Sequence, residues 1–177
     1  FLENNLRGEF LAVRALHAAM RHQPERALDF ARRAQKTAEA KDPFIQTYVS
    51  FGLGAAQKMG LHLFQAEQSF RDCLALADAD GNSYLSIASL VNLADVLYLQ
   101  GRLFDAETVC QRALRRFGEG LPDACNWYWT LARVCYQRDQ LEQALSFADS
   151  AIDLSTGTQE KTVHARALLQ RALIRQA

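Results

Sequence analysis

Cysteine is scarce and unpatterned in this chain. Cys73, Cys110, Cys125 and Cys135 form no CxxC pair, and no histidine stands at metal-ligand spacing from any of them. This argues against a zinc finger or a thioredoxin-type motif, and leaves buried small hydrophobes in a reducing compartment as the expected role. Net charge is also missing: Lys plus Arg and Asp plus Glu are 20 each, with no basic run, so direct nucleic-acid binding is not expected. No apolar run approaches the ~18 residues of a membrane span. His17, His22, His62 and His164 are dispersed, with no evident serine or cysteine partner for nucleophilic work. Asp78, Asp80 and Asn82 faintly resemble a calcium loop, but Gly81 is misplaced and no distal glutamate follows. With no converging acid, base, nucleophile or metal set, the chain is not expected to be an enzyme or to hold a cofactor. No segment alternates as a strand does, and none is of low complexity.

What the sequence has instead is a repeat. In Asn82–Phe117, Leu90, Leu93, Ala94 and Leu97 form one helical stripe, Gly101 interrupts, and Leu103, Ala106, Cys110, Ala113 and Phe117 form another. Two helices joined by so tight a turn lie antiparallel and share their apolar faces. Ala106 has counterparts at Ala27, Ala66 and Ala144, at steps of 39, 40 and 38 residues. Four residues after each anchor stands Ala31, Phe70, Cys110 or Ala148, and seven after stands Ala34, Cys73, Ala113 or Ala151. Twelve before stands Ala15, Gly54, Ala94 or Ala132; thirteen before stands Leu53, Leu93 or Leu131, with Arg14 the exception. Small residues at fixed points let helix backbones approach, and a period of this length means a helical solenoid.

The punctuation predicts nine helices. Pro24 and Pro43 suit first turns, with Asp42 as an N-cap. Gly60 closes the third helix, Asn82 or Ser83 caps the fifth, Gly118 to Pro122 is the loosest connection, and Thr158 caps the ninth. Their approximate spans are 4–21, 24–40, 43–59 and 63–79 for the first four; the fifth starts at Asn82 or Ser83, the sixth follows Gly101 and ends near Phe117, and the rest run 123–138, 141–154 and from Thr158 to the end. They make four hairpins plus one unpaired C-terminal helix. The expected organisation is one domain over 1–177 with repeats at about 4–41, 42–81, 82–120, 121–156 and a partial fifth at 157–177. Opening at Phe1 in mid-pattern, it reads as a piece excised from a longer protein. The outer helices then carry uncapped apolar faces, through which self-association is expected.

Leu93-Ala94, Gly101, Ala106, Cys110 and Ala113 resemble the tetratricopeptide repeat (TPR). The usual first tryptophan is replaced by Leu11, Ser50, Leu90 and Tyr128, the closing proline is missing, and the period exceeds the usual 34. The wording of RGEFLAVRALHAAMRHQPERALDFARRA, DPFIQTYVSFGLG and GNSYLSIASLVNLADVLYLQGRLFDAE resembles one long-helix subclass. This is the sensor region of LuxR-type, ATP-dependent bacterial transcription regulators, typified by the maltose-regulon activator. The resemblance implies an all-α, right-handed α-α superhelix. It also implies a cytoplasmic, non-catalytic module that receives a small effector or a regulatory protein, with ATPase and DNA-binding activities in the parent protein. A TPR scaffold for a peptide or partner helix, unrelated to transcription, is the alternative.

The TPR pattern further implies that the first helix of each pair lines a concave face, at 18, 15, 11, 8 and 7 residues before the anchor. In copy one these positions hold only Glu9, Ala12, Leu16, Ala19 and Met20; in copy two they include Tyr48, Phe51 and Lys58. Copies three and four bring Asp95 and Tyr98, then Asn126, Trp129, Arg133 and Tyr136. Rings with polar groups beside them suit a small-molecule or peptide site, and an arginine forks onto carboxylate or phosphate. Asp95 and Arg133 also stand where they could simply pair across neighbouring helices.

Overall fold

A computed structural model describes residues 2–37, 42–156, 158 and 161–177, with side chains from Gly8 onward. Nine α-helices and no strand occur among them: α1 Leu2–Met20, α2 Pro24–Thr37, α3 Pro43–Met59, α4 Leu63–Ala79, α5 Ser83–Leu99, α6 Leu103–Phe117, α7 Ala124–Gln137, α8 Leu141–Ser155 and α9 Lys161–Ile174. The chain divides into two compact units, Phe1–Val96 and Leu97–Ala177, with the boundary inside α5. In the first, α1 packs on α2 and α3, α2 on α3, and α3 on α4; in the second, α6 packs on α7, α7 on α8 and α9, and α8 on α9. Within each unit, helices thus pack on sequence neighbours and, for α1 with α3 and α7 with α9, on the next but one, as a stacked hairpin repeat requires.

The same turn closes all four hairpins. Three residues separate α1 from α2, α3 from α4, α5 from α6 and α7 from α8. The middle one is left-handed each time: His22 (φ 55), Leu61 (φ 59), Gly101 (φ 76) and Asp139 (φ 60). The residue after it donates its N–H five residues back, Gln23 to Ala18, His62 to Gln57, Arg102 to Leu97 and Gln140 to Cys135, at 2.8–3.0 Å. This is a Schellman closure, which satisfies carbonyls the helix leaves unpaired. Gly60 does end α3, but at an ordinary φ of −80; the positive φ falls one residue later, on Leu61. Asp42 caps α3 by accepting from Phe44 N at 2.9 Å, with Pro43 at the first helical position. Asn82 Oδ1 accepts from Leu85 N at 3.1 Å and caps α5. Thr158 donates to Ser155 O, 3.0 Å away; its expected cap of α9 turns on residues that lie outside those described. So does the expected extension of α2 to Ala40.

The repeat positions are the core. The anchors Ala27, Ala66, Ala106 and Ala144 are 0% exposed, as are Ala31, Phe70, Cys110, Ala148, Ala34, Cys73, Ala113, Ala151, Ala15, Ala94 and Ala132. Copy two reaches the same density by an exchange of sizes. Phe70 stands where the other copies carry alanine or cysteine, and Gly54 stands opposite it. A Cβ added at Gly54 would lie 2.9 Å from the Phe70 ring, so only glycine leaves room for it. Phe51 closes the other side of that ring, edge-on with centroids 5.6 Å apart. Phe51 is therefore a core residue, buried against α4, and does not line a groove.

All four cysteines are free and buried. Burial pushes the Cys73 thiol up to about 11. A group whose folded pKa lies above its unfolded one stabilises the fold at low pH and loses that contribution as pH rises through the folded value. Stability is therefore expected to fall between about pH 9 and about pH 11. Cys135 and Tyr128 are also raised, first by burial and then by the nearby Glu107 and Glu119 carboxylates, and add to the same alkaline limb. Alanine fills the Cys73 position in the other three copies. Cys73→Ala is thus expected to leave the melting temperature at pH 7 nearly unchanged and to flatten its decline above pH 9; an unaltered decline would remove Cys73 from the cause.

Candidate functional site

Trp129 and Arg133 lie four residues apart on α7 and so share a face. Tyr98, on the last turn of α5, comes to the opposite side of Arg133. The Arg133 Cζ lies 3.9 Å from the Tyr98 ring centroid and 3.8 Å from that of Trp129, so the guanidinium makes a close cation–π contact with each ring. Arg166 on α9 places its Cζ 5.2 Å from the Trp129 ring. Trp129 leans on Ala151, Ile152 and Ala167, which fixes its plane. Each such contact contributes roughly 0.5–2 kcal/mol. More important is what stacking does to recognition. It immobilises a long side chain in advance and confines its N–H donors to one plane, the geometry that suits a carboxylate or phosphate edge-on.

A second pair of expected residues meets within the first unit. Lys58 on α3 donates to Asn92 Oδ1 at 2.7 Å and pairs with Asp95 Oδ2 at 3.2 Å on α5. The Asp95 carboxylate thus has a lysine partner of its own.

The remaining expected residues have packing or hydrogen-bond partners of their own. Tyr48 packs beside Phe44, ring centroids 4.4 Å apart, over the cluster of Leu11, Ala15 and Val49. Asn126 donates to Asp123 O at 3.3 Å, at the start of α7. Tyr136 lies on the cluster of Ala132, Cys135, Ala144 and Ala148. In copy one, Ala12 and Ala19 are buried.

Sequence reasoning missed Arg166, because α9 has no anchor alanine from which to count. It also missed a partner for His164. The His164 Nδ1 lies 3.0 Å from Ser155 Oγ, and Ser155 donates its hydroxyl to Ile152 O at 3.0 Å. The serine is 3% exposed, and the pair ties the end of α8 to α9. Among the described residues no group of three His, Cys, Asp or Glu side chains could hold a metal ion. Asp78, of the calcium-like segment, accepts from Ser86 Oγ at 2.6 Å instead. No described helix is long and apolar enough to cross a membrane.

A family model described as the MalT-like TPR region matches residues 8–177. The chain belongs to that family. Among solved structures, a MalT-like fold of this kind is similar to BtubC (BKLC) from P. vanneervenii. The TM-score is 0.70 and the identity 16%, over 97% of this chain and 83% of the other. At that identity the likeness shows the fold alone, a TPR-like helical repeat. A search of curated proteins finds no match.

Proposed function

We propose that this MalT-like TPR region is the signal-receiving module of a LuxR-type bacterial transcription regulator, cytoplasmic and without catalysis of its own. Family membership supports a sensor or interaction role. The observation that carries the site is Arg133 clamped between Tyr98 and Trp129, with Arg166 beside them. The ligand class this suits is a small effector, or an exposed segment of a regulatory protein, that offers a carboxylate or phosphate beside a flat apolar part. DNA binding and ATP hydrolysis belong, in this reading, to the parent regulator. A ligand touching α5, α7 and α9 together favours one arrangement of these helices, and it shifts the equilibrium only by its differential affinity for the two.

A thermal-shift screen of the 177-residue chain against sugars, metabolites and aromatic acids tests this. A ligand at 100 times its dissociation constant adds ~2.7 kcal/mol of stability. Arg133→Ala is expected to weaken any hit by roughly tenfold or more while lowering the unliganded melting temperature by only a few degrees. Trp129→Ala should act in the same direction. Hits indifferent to both substitutions, or variants that simply unfold, would make the stack packing and nothing more.

A further inference from the structure

Arg14 is the one break in the leucine position of the repeat, and the structure gives the break a setting. Its guanidinium lies over the Phe30 ring, 4.4 Å from the centroid, and 5.5 Å from that of Phe10. It borders a cavity of about 290 Å³ lined by Arg14, His17, Ala18, Arg21, Gln23, Arg26 and Phe30. Three arginines and a histidine line it, and no acidic side chain does. Five other arginines find acids: Arg33 with Asp29, Arg71 with Glu67, Arg102 with Asp105, Arg138 with Glu107 and Arg171 with Asp149. Among the described residues, Arg14, Arg21 and Arg26 have no carboxylate partner. The polar contact of Arg26 is with Gln23 Oε1, 3.2 Å away. Arg26 also sits in the first turn of α2, where the helix dipole is itself positive and disfavours a cation. A neutral chain has thus gathered unneutralised cations around one aromatic-floored hollow.

We propose that this hollow between α1 and α2 binds a compact polyanion, a small molecule carrying two or more phosphate or carboxylate groups. Phe30 holds Arg14 in place as the Arg133 rings hold theirs, so the cation is positioned before the ligand arrives. The positive end of the α2 dipole adds to the same field. The volume falls at the lower end of small-ligand sites, which favours a metabolite over an extended polymer. The site lies wholly within the first unit and does not depend on the role assigned to Arg133.

Calorimetric titration of the 177-residue chain with pyrophosphate and with citrate, at ionic strength matched by potassium chloride, tests the proposal. One saturable site is expected, and the tighter of the two probes identifies phosphate or carboxylate as the preferred group. Arg14→Leu restores the residue of the other three copies, so it should fold normally and bind roughly tenfold more weakly or worse. Arg21→Gln should weaken binding similarly, with a melting temperature within about 2 °C of the parent, and decides alone if Arg14→Leu unfolds. Absence of saturable binding by either anion, or affinities unchanged in Arg21→Gln, would overturn the site. So would a 20-base-pair DNA duplex that binds more tightly than either anion and loses affinity in the same variants.

Discussion

Phe70→Ala is expected to be the most damaging single substitution in the first unit, costing about 3–5 kcal/mol and lowering the melting temperature by roughly 10 °C. The ring is 0% exposed, lies edge-on to Phe51 and fills the space that Gly54 leaves open. Its loss removes the transfer free energy of a whole aromatic side chain and leaves a void that two rigid helices cannot close. Urea unfolding followed by helical circular dichroism would measure the cost. A loss below about 1 kcal/mol would mean that α3 and α4 collapse onto each other, against the close packing described.

The second large effect is of the opposite kind. Ala144→Leu is expected to destabilise the second unit by about 2–3 kcal/mol, although leucine is a good helix former and more apolar. Ala144 is 0% exposed within a cluster of Ala132, Cys135, Ala148 and Ile174. Three added carbons have no space there and would push α8 away from α7 and from the end of α9. Leu145→Ala at the next position, half-buried at the margin of that cluster, is the control. It should cost less than Ala144→Leu if close backbone approach is what the anchor provides; the reverse order would make the anchor an ordinary helix position.

Much of this could be read in the chain because the repeat reports the same environment four times. One alanine in a helix says little; four at matched positions, each with an apolar residue four further on and a small one seven further on, say where helices touch. Helix ends were legible for a similar reason, since Asp42-Pro43 and Asn82 carry their capping chemistry locally. The turns were only partly legible. Glycine marks the left-handed residue at Gly101, but His22, Leu61 and Asp139 take the same conformation without it, because the Schellman hydrogen bonds and packed flanking helices outweigh the strain of one residue. Gly60 ends α3 as expected, while the left-handed residue is the next one, Leu61.

At the candidate site, Trp129 and Arg133 were legible as an i, i+4 pair, and Tyr98 as an inward position of the previous copy. Arg166 was not, because its placement depends on how α9 lies against α7 and α8. Phe51 was expected in a groove and is in the core, because Phe70 in its own copy is large and offers a ring edge. Asp95 illustrates the limit of sequence for charges: two cations stood at comparable repeat positions, and only the packing of α3 on α5 shows its pairing with Lys58.

That repeat position, more than residue identity, decides what each side chain does is tested most directly by the double-mutant cycle of Gly54 and Phe70. In the native background Gly54→Ala should destabilise by about 1 kcal/mol, because overpacking against a fixed ring exceeds the helix propensity gained. In the Phe70→Ala background the same Gly54→Ala change should stabilise by about 0.5–1 kcal/mol, since copy two then carries the alanine pair found at Ala15 and Ala31 and at Ala132 and Ala148. A reversal of sign is the predicted result; the same sign and size in both backgrounds would contradict it.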